Sequence, residues 1–213
     1  GLWEPYKLQL KLDVAQLNGT DWDTPIHPDL CPKWEARFKE FLDIPGIMVP
    51  RCVIPANAVN CQLLRLLCVS DAAVSAGGAA IYASYLLNDG SYSCQMLVSK
   101  SKLMDMSIPR NELSAVLLMS ELAYIVCKSL GSLVEDVYFF TDSTIALCWC
   151  TNMNKKLRMF TFNRVTTIRM YIEWATGKSE NLPLYHISGP DNIADILTKE
   201  NHITPKSLGP SSE

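Results

Sequence analysis

Residues 137–147 read VYFFTDSTIAL. Val137, Tyr138, Phe139 and Phe140 run almost straight into Asp142, and an apolar helical pattern begins directly after it. A strand covered on both faces shows such an unbroken apolar run instead of alternation. A carboxylate at its tip, followed at once by a helix, predicts the strand-to-helix junction of an open α/β sheet, which is where such sheets build their sites.

Reading outward from this junction gives the rest of the architecture. Upstream, Pro109 suits the first turn of a helix, and Leu113, Val116, Leu117, Ser120, Ala123, Tyr124 and Cys127 keep a helical period as far as Gly131. Before that helix, QLLRLLCVSDAA reads as a strand ending near Asp71, and GGAAIYASYLL and SYSCQMLVSKSK read as two more, joined by the hairpin signal Asn88-Asp89-Gly90. Downstream, STIALCWC predicts a short helix, RMFTFNRVTTIRMYIEWA a longer one, LPLYHIS a fifth strand and DNIADILTK a last helix. The order β-β-β-α-β-α-α-β-α implies a mixed five-stranded sheet, with three antiparallel strands followed by parallel crossovers and helices on both faces.

Residues 1–60 are rich in Pro and Trp and read as short helices and turns, with Leu30, Trp34, Phe38, Phe41 and Leu42 forming an apolar stripe for core or docking. The tail 201–213 reads as linker, which divides the chain into 1–60, 61–200 and 201–213. The beginning, GLWEPYKLQ, has no initiator Met and suggests a piece of something longer.

Hydrophobic residues make up 48% of the 213 and charged residues 19%, enough for a real core and against wholesale disorder. No apolar run is read as a membrane span. The net charge of −3 does not advertise a nucleic-acid binder, yet Lys155, Lys156, Arg158, Arg164 and Arg169 form a stretch without an acid. The eight Cys form no C-x-x-C pair and several lie in apolar runs, so they read as reduced thiols of an intracellular chain. Three scattered His argue against zinc.

The remaining question is what the strand-end carboxylate is for. Asp71 ends the first strand, Asp142 the fourth, Glu112 sits in the first turn of the long helix and Asp195 near the start of the last. Four acids from four elements could converge. Clustered carboxylates raise one another's pKa and are held as anions mainly by divalent cations; all-oxygen ligands suit Mg²⁺ or Mn²⁺. Each acid also has a plainer reading: Asp142 as a helix cap, Asp71 as a turn residue, Glu112 as a partner of the helix dipole, Asp195 as a surface acid. Glu121 lies nine residues after Glu112, about 180° around the helix, so only one of them faces the strand tips, and Glu112 is the one at the right end.

VSDAAVSAGGAAIY, SIPRNELSAVLL, VYFFTDSTIALCW, FNRVTTI and HISGPDNIADILTK, in this order and spacing, together with the upstream LNGTDWDTPIHPDLCPKWEARF, give the chain its resemblance. It resembles the ribonuclease H region of the Pol polyprotein of BEL/Pao-type LTR retrotransposons, with part of the segment that follows reverse transcriptase. The resemblance implies a ribonuclease H-like fold and the catalytic, metal-binding acids Asp71, Glu112, Asp142 and Asp195. It implies two Mg²⁺ or Mn²⁺ as cofactors, and hydrolysis of the RNA strand of an RNA–DNA hybrid. The implied partners are that hybrid and the reverse transcriptase of the same polyprotein, with no membrane, in a cytoplasmic virus-like particle or the nucleus. Arg110, Asn111, Asn163 and Arg164 lie in the shared motifs as contacts to the nucleic-acid backbone. His186 falls in a strand and reads as structural, leaving no evident helper His before the last acid. Two other readings stand beside this one: a degenerate or domesticated scaffold of the same fold, and an aspartic peptidase. TDST and WDTP lack the Gly that the tight turn of the latter's dyad needs.

Overall fold

A computed structural model describes residues 2–42, 52–59, 63–152, 156–179 and 181–199. Helices α1 (Glu4–Ala15) and α2 (Cys31–Leu42) precede strands β1 (Leu64–Ala72), β2 (Ala76–Leu86) and β3 (Tyr92–Leu103). Then follow α3 (Ile108–Leu130), β4 (Val134–Thr141), α4 (Thr144–Thr151), α5 (Met159–Thr176) and β5 (Leu184–His186). The sheet order is β3-β2-β1-β4-β5. β1–β2 and β2–β3 pair antiparallel, and β1–β4 and β4–β5 pair parallel. This is the mixed sheet with parallel crossovers that the element order implies.

The elements start and stop for local reasons. Gly90 (φ +83°) turns the β2–β3 hairpin, a conformation a Cβ disfavours. Pro109 lies in the first turn of α3, and Gly177 ends α5 in the left-handed region. Leu113, Val116 and Met119 of α3 and Ile168 and Ile172 of α5 pack on Leu66, Cys68, Ile81 and Phe139 of the sheet, all fully buried. By length and composition α3 could cross a membrane; half of its apolar stretch is buried here. Cys68, Cys127 and Cys150 are buried free thiols, and burial pushes Cys127 up to about 11 and Cys150 up to about 12, as expected of small hydrophobes.

On the opposite face, Val69 and Ala80 pack on Ala194 and Leu197. Gly78, paired with Asp71, makes this possible, because a Cβ there would collide with Leu197. α1 lies against β3 and this last turn. It buries Tyr6 and Leu8, and Tyr6 stacks on Phe41 of α2.

Two expectations are corrected. DNIADILTK is not an α-helix as far as Lys199. It forms two 3₁₀ turns, Gly189–Asp191 and Ile193–Leu197, because the Asn192 side chain accepts a hydrogen bond from the Ala194 N–H and restarts the chain there. Of the two readings of the α2 stripe, core and docking, the core one is removed: among the described residues α2 buries none, and Phe38, Phe41 and Leu42 are exposed. Lys155, Cys61, the tail 201–213 and the boundaries near 60 and 200 lie outside the described residues.

Candidate active site

β1 and β4 run parallel, with Ser70 opposite Thr141. The next residue on each strand is Asp71 and Asp142, so two acids leave neighbouring strand ends side by side. Asp71 is half-buried and accepts a hydrogen bond from the Thr198 hydroxyl. Burial raises its pKa, and the charges of Asp142 and Asp195 raise it further, against the lowering effect of Thr198. Asp71 therefore feels the charges of both other aspartates.

Glu112 joins them through a serine. Ser143 Oγ donates to Glu112 Oε2 at 2.6 Å and accepts from the Ala146 N–H at 3.0 Å. Ser143, not Asp142, is thus the cap of α4, which removes the plainer reading of Asp142 and leaves its carboxylate uncommitted to the helix. Asn111 fixes the height of α3 on the sheet. Its amide donates to the Ala73 and Val74 carbonyls at 3.1 and 2.9 Å and accepts from the Met106 N–H. Glu121 is exposed on the far side of α3, as the helical angle predicts.

Asp195 sits in the Ile193–Leu197 turn, and Asn192 donates to the Ser70 carbonyl at 3.0 Å, pinning that turn beside the end of β1. Lys199 Nζ pairs with Asp195, and the charges of Asp195 and Asp71 help to raise the lysine's pKa. Gln9 of α1 donates to the Lys199 carbonyl at 3.2 Å. All four acids lie at one end of the sheet, each of Asp71, Glu112 and Asp195 held by a protein donor. Among the described residues no three acidic, His or Cys side chains stand ready-made as a cation site.

The four residues expected to touch nucleic acid divide. Arg110 and Arg164 converge on the Phe160 ring, and Asn163 is exposed on α5. Asn111 is corrected: it is fully buried and its amide is spent on backbone groups, so it positions Glu112 and does not face a ligand. His186 pairs by backbone opposite Thr141, with its side chain exposed. Ser143, Phe160, Thr198, Lys199 and Gln9 went unread in the sequence. Ser143, Thr198 and Lys199 were within reach, since they follow the acids by one, three and four positions.

The sequence matches a family profile described as Pao retrotransposon-like RNaseH-like domain over residues 1–143. The chain belongs to this family. The matched region holds Asp71, Glu112 and Asp142, and Asp195 lies beyond it. No curated protein matches the Pao-type chain. Among solved structures, it is similar to the N-terminal RNase H domain of Rv2228c from Mycobacterium tuberculosis, with 12% identity, TM-score 0.44, and 63% of this chain and 91% of that one covered. It is also similar to LC11-RNase H1 in complex with RNA/DNA hybrid, a protein isolated from compost by a metagenomic approach. There the identity is 19% and the TM-score 0.40, with 68% and 99% covered. A third is the protease-reverse transcriptase of prototype foamy virus, with 15% identity, TM-score 0.39, and 85% of this chain but 29% of that one covered.

Proposed function

We propose that this Pao-type domain is a metal-dependent ribonuclease H that hydrolyses the RNA strand of RNA–DNA hybrids beside a reverse transcriptase of the same polyprotein. The observation that carries the reading is the convergence of Asp71, Asp142 and Asp195, with Glu112 linked through Ser143, at one end of the sheet. The donor set fits hard cations. It is all oxygen, and burial, with the charges of Asp142 and Asp195 added, disfavours the Asp71 anion that a divalent cation would stabilise. Asp71, Glu112, Asp142 and Asp195 would hold two Mg²⁺ or Mn²⁺, which would activate a water and stabilise the leaving oxygen.

The chain's own contribution is positioning. Asp71 lies in β1 and Asp142 directly follows β4, its parallel neighbour, so both are mounted on the sheet. Ser143 orients Glu112 and Thr198 orients Asp71, as outer partners of ligands do. Lys199 occupies one oxygen of Asp195, so a cation would either take the other oxygen or displace the lysine. This pairing is what favours a second reading, a scaffold of the same fold that binds without cutting.

One assay separates the two. The wild-type protein, given a hybrid with a labelled RNA strand, is expected to cut that strand in Mg²⁺ or Mn²⁺ and to stop on EDTA addition. Absence of cutting in both ions at high protein concentration would leave only the scaffold. Cleavage of a protein substrate that survives EDTA would support the peptidase instead.

A further inference from the structure

One cation already stands at the acids. Among the described residues Asp71, Glu112 and Asp142 form no ion pair, whereas the Lys199 ammonium pairs with Asp195. The negative charges of Asp195 and Asp71 both act on that ammonium. An exposed pair four residues apart is by itself worth little. Here the lysine answers two acids from distant parts of the chain, one of them half-buried in β1.

The backbone around Lys199 is fixed, and the end of its side chain is not. The Thr198 and Lys199 N–H groups both donate to the Asp195 carbonyl at 3.2 Å, and Gln9 donates to the Lys199 carbonyl. Thr198 is buried, with its hydroxyl on Asp71. The Lys199 side chain is 62% exposed, and among the described residues Asp195 is its acceptor. Lys11, which helps to fasten α1, is held differently. It is 37% exposed and donates to the Glu4 carboxylate and to both the carbonyl and the hydroxyl of Ser101. Lysine carries its charge on a flexible four-carbon stem. The Lys199 ammonium can therefore leave for water without a shift of the backbone that places Asp195 and Thr198.

We infer that Lys199 is a positioning residue for the acids, a built-in counter-cation that holds Asp195 while no divalent cation is bound and swings into solvent when one is. This role depends on the metal-binding function proposed above for Asp195. Clustered carboxylates need positive charge nearby to stay ionised together. The ammonium supplies part of it, at the acid mounted on a five-residue 3₁₀ turn and not on the sheet. A divalent cation brings more charge to the same carboxylate and repels an ammonium already there. The two compete, so Lys199 sets how much Mg²⁺ or Mn²⁺ the acids demand before they fill.

Mn²⁺ binding to the full chain without nucleic acid tests this, by isothermal titration calorimetry, with thermal unfolding midpoints measured in EDTA. Lys199→Met keeps the apolar stem and removes the charge. It is expected to bind Mn²⁺ about two- to fivefold more tightly, the factor that loss of an exposed competing pair allows, and to unfold at a slightly lower temperature in EDTA. Lys199→Arg keeps the charge and is expected to match wild type in both measurements. A pair that only supports structure would behave otherwise, since stability and Mn²⁺ affinity would then fall together in Lys199→Met. Tighter binding decides for the counter-cation whatever the size of the midpoint change. Unchanged or weaker binding in that variant would overturn it and leave the metal reading intact. Lys199→Gln gives the same comparison should the methionine variant fail to fold. Absence of Mn²⁺ binding in both wild type and variant would remove the metal site itself, and the displacement with it.

Discussion

Two shielded carboxylates in one row of the sheet have opposite fates: Ser101, which Glu4 binds, pairs with Gly78, and Gly78 pairs with Asp71. Glu4 of α1 is 7% exposed. Burial pushes its carboxyl up, but the Ser101 N–H at 3.0 Å, Lys11 at 3.1 Å and Lys7 at 3.2 Å outweigh burial and hold it at about 2. Asp71 is half-buried, and there burial, with the charges of Asp142 and Asp195 added, outweighs the Thr198 bond, so its pKa goes up. The first carboxylate fastens a helix to an edge strand. The second is kept under electrostatic stress at a strand end. Two strands apart in one row, one carboxylate is thus held as an anion by donors and the other is disfavoured as one, and a carboxylate of the second kind is a candidate for function.

Removing a ligand from the stressed end should give the largest effect. Asp142→Asn is expected to cut Mg²⁺-dependent cleavage of the hybrid by more than a hundredfold, beyond the roughly 10–100-fold that loss of an outer partner costs, with the circular dichroism spectrum unchanged. Residual cleavage near the wild-type rate would remove Asp142 from the mechanism.

At the fastening end the effect is on stability. A folded-state pKa held below the unfolded value contributes stability above the unfolded pKa and loses it as pH falls through the folded one. Glu4→Gln should therefore lower stability at pH 7 by about 2–3 kcal/mol in denaturant titration. The gap to wild type should close between about pH 4.5 and pH 2. A gap that stays constant down to pH 2 would mean that the charge is not what fastens α1.

Asp71→Asn should have the opposite sign. A raised carboxyl pKa means that the anion is disfavoured in the fold, so above that pKa a neutral amide of the same shape should raise the unfolding midpoint slightly. Activity should be lost at the same time. A fall in the midpoint would show that the Thr198 bond to the carboxylate outweighs burial and the repulsion from Asp142 and Asp195 together.

The sheet was legible because its signals are local and repeated. The unbroken run of β4, the Asn88-Asp89-Gly90 turn and Pro109 each point to one structure, and they agree with one another. The places of the acids in the fold were legible because strand ends and first helical turns can be counted from those signals. What holds them was not. The Glu4–Ser101 bond spans 97 residues and the Gln9–Lys199 bond 190, and no periodicity encodes such pairs. Asn111 was misread because its motif position says that it is near the acids, while only packing says which way it points. The last turn was misread because one side-chain bond at Asn192 decides between α-helix and 3₁₀.

Gln9 connects the two regions compared above and offers their mildest test. It lies on α1 one turn beyond Glu4, accepts from Arg37 of α2 at 3.5 Å, and donates to the carbonyl of Lys199 in the segment that carries Asp195 and Thr198. If α1 merely covers the sheet, Gln9→Ala should cost the ordinary worth of a hydrogen bond, about 1 kcal/mol, spread over the whole fold. If it steadies the stressed end, the amides around 195–199 should exchange faster in Gln9→Ala, while those of β1 and β4 keep wild-type protection. Hydrogen exchange read by mass spectrometry distinguishes these outcomes, and uniform protection in the variant would assign α1 to stability alone. Local loosening would make the fastened helix part of the apparatus that aims Asp195, with Glu4 anchoring it to Ser101, in the same sheet row as Asp71.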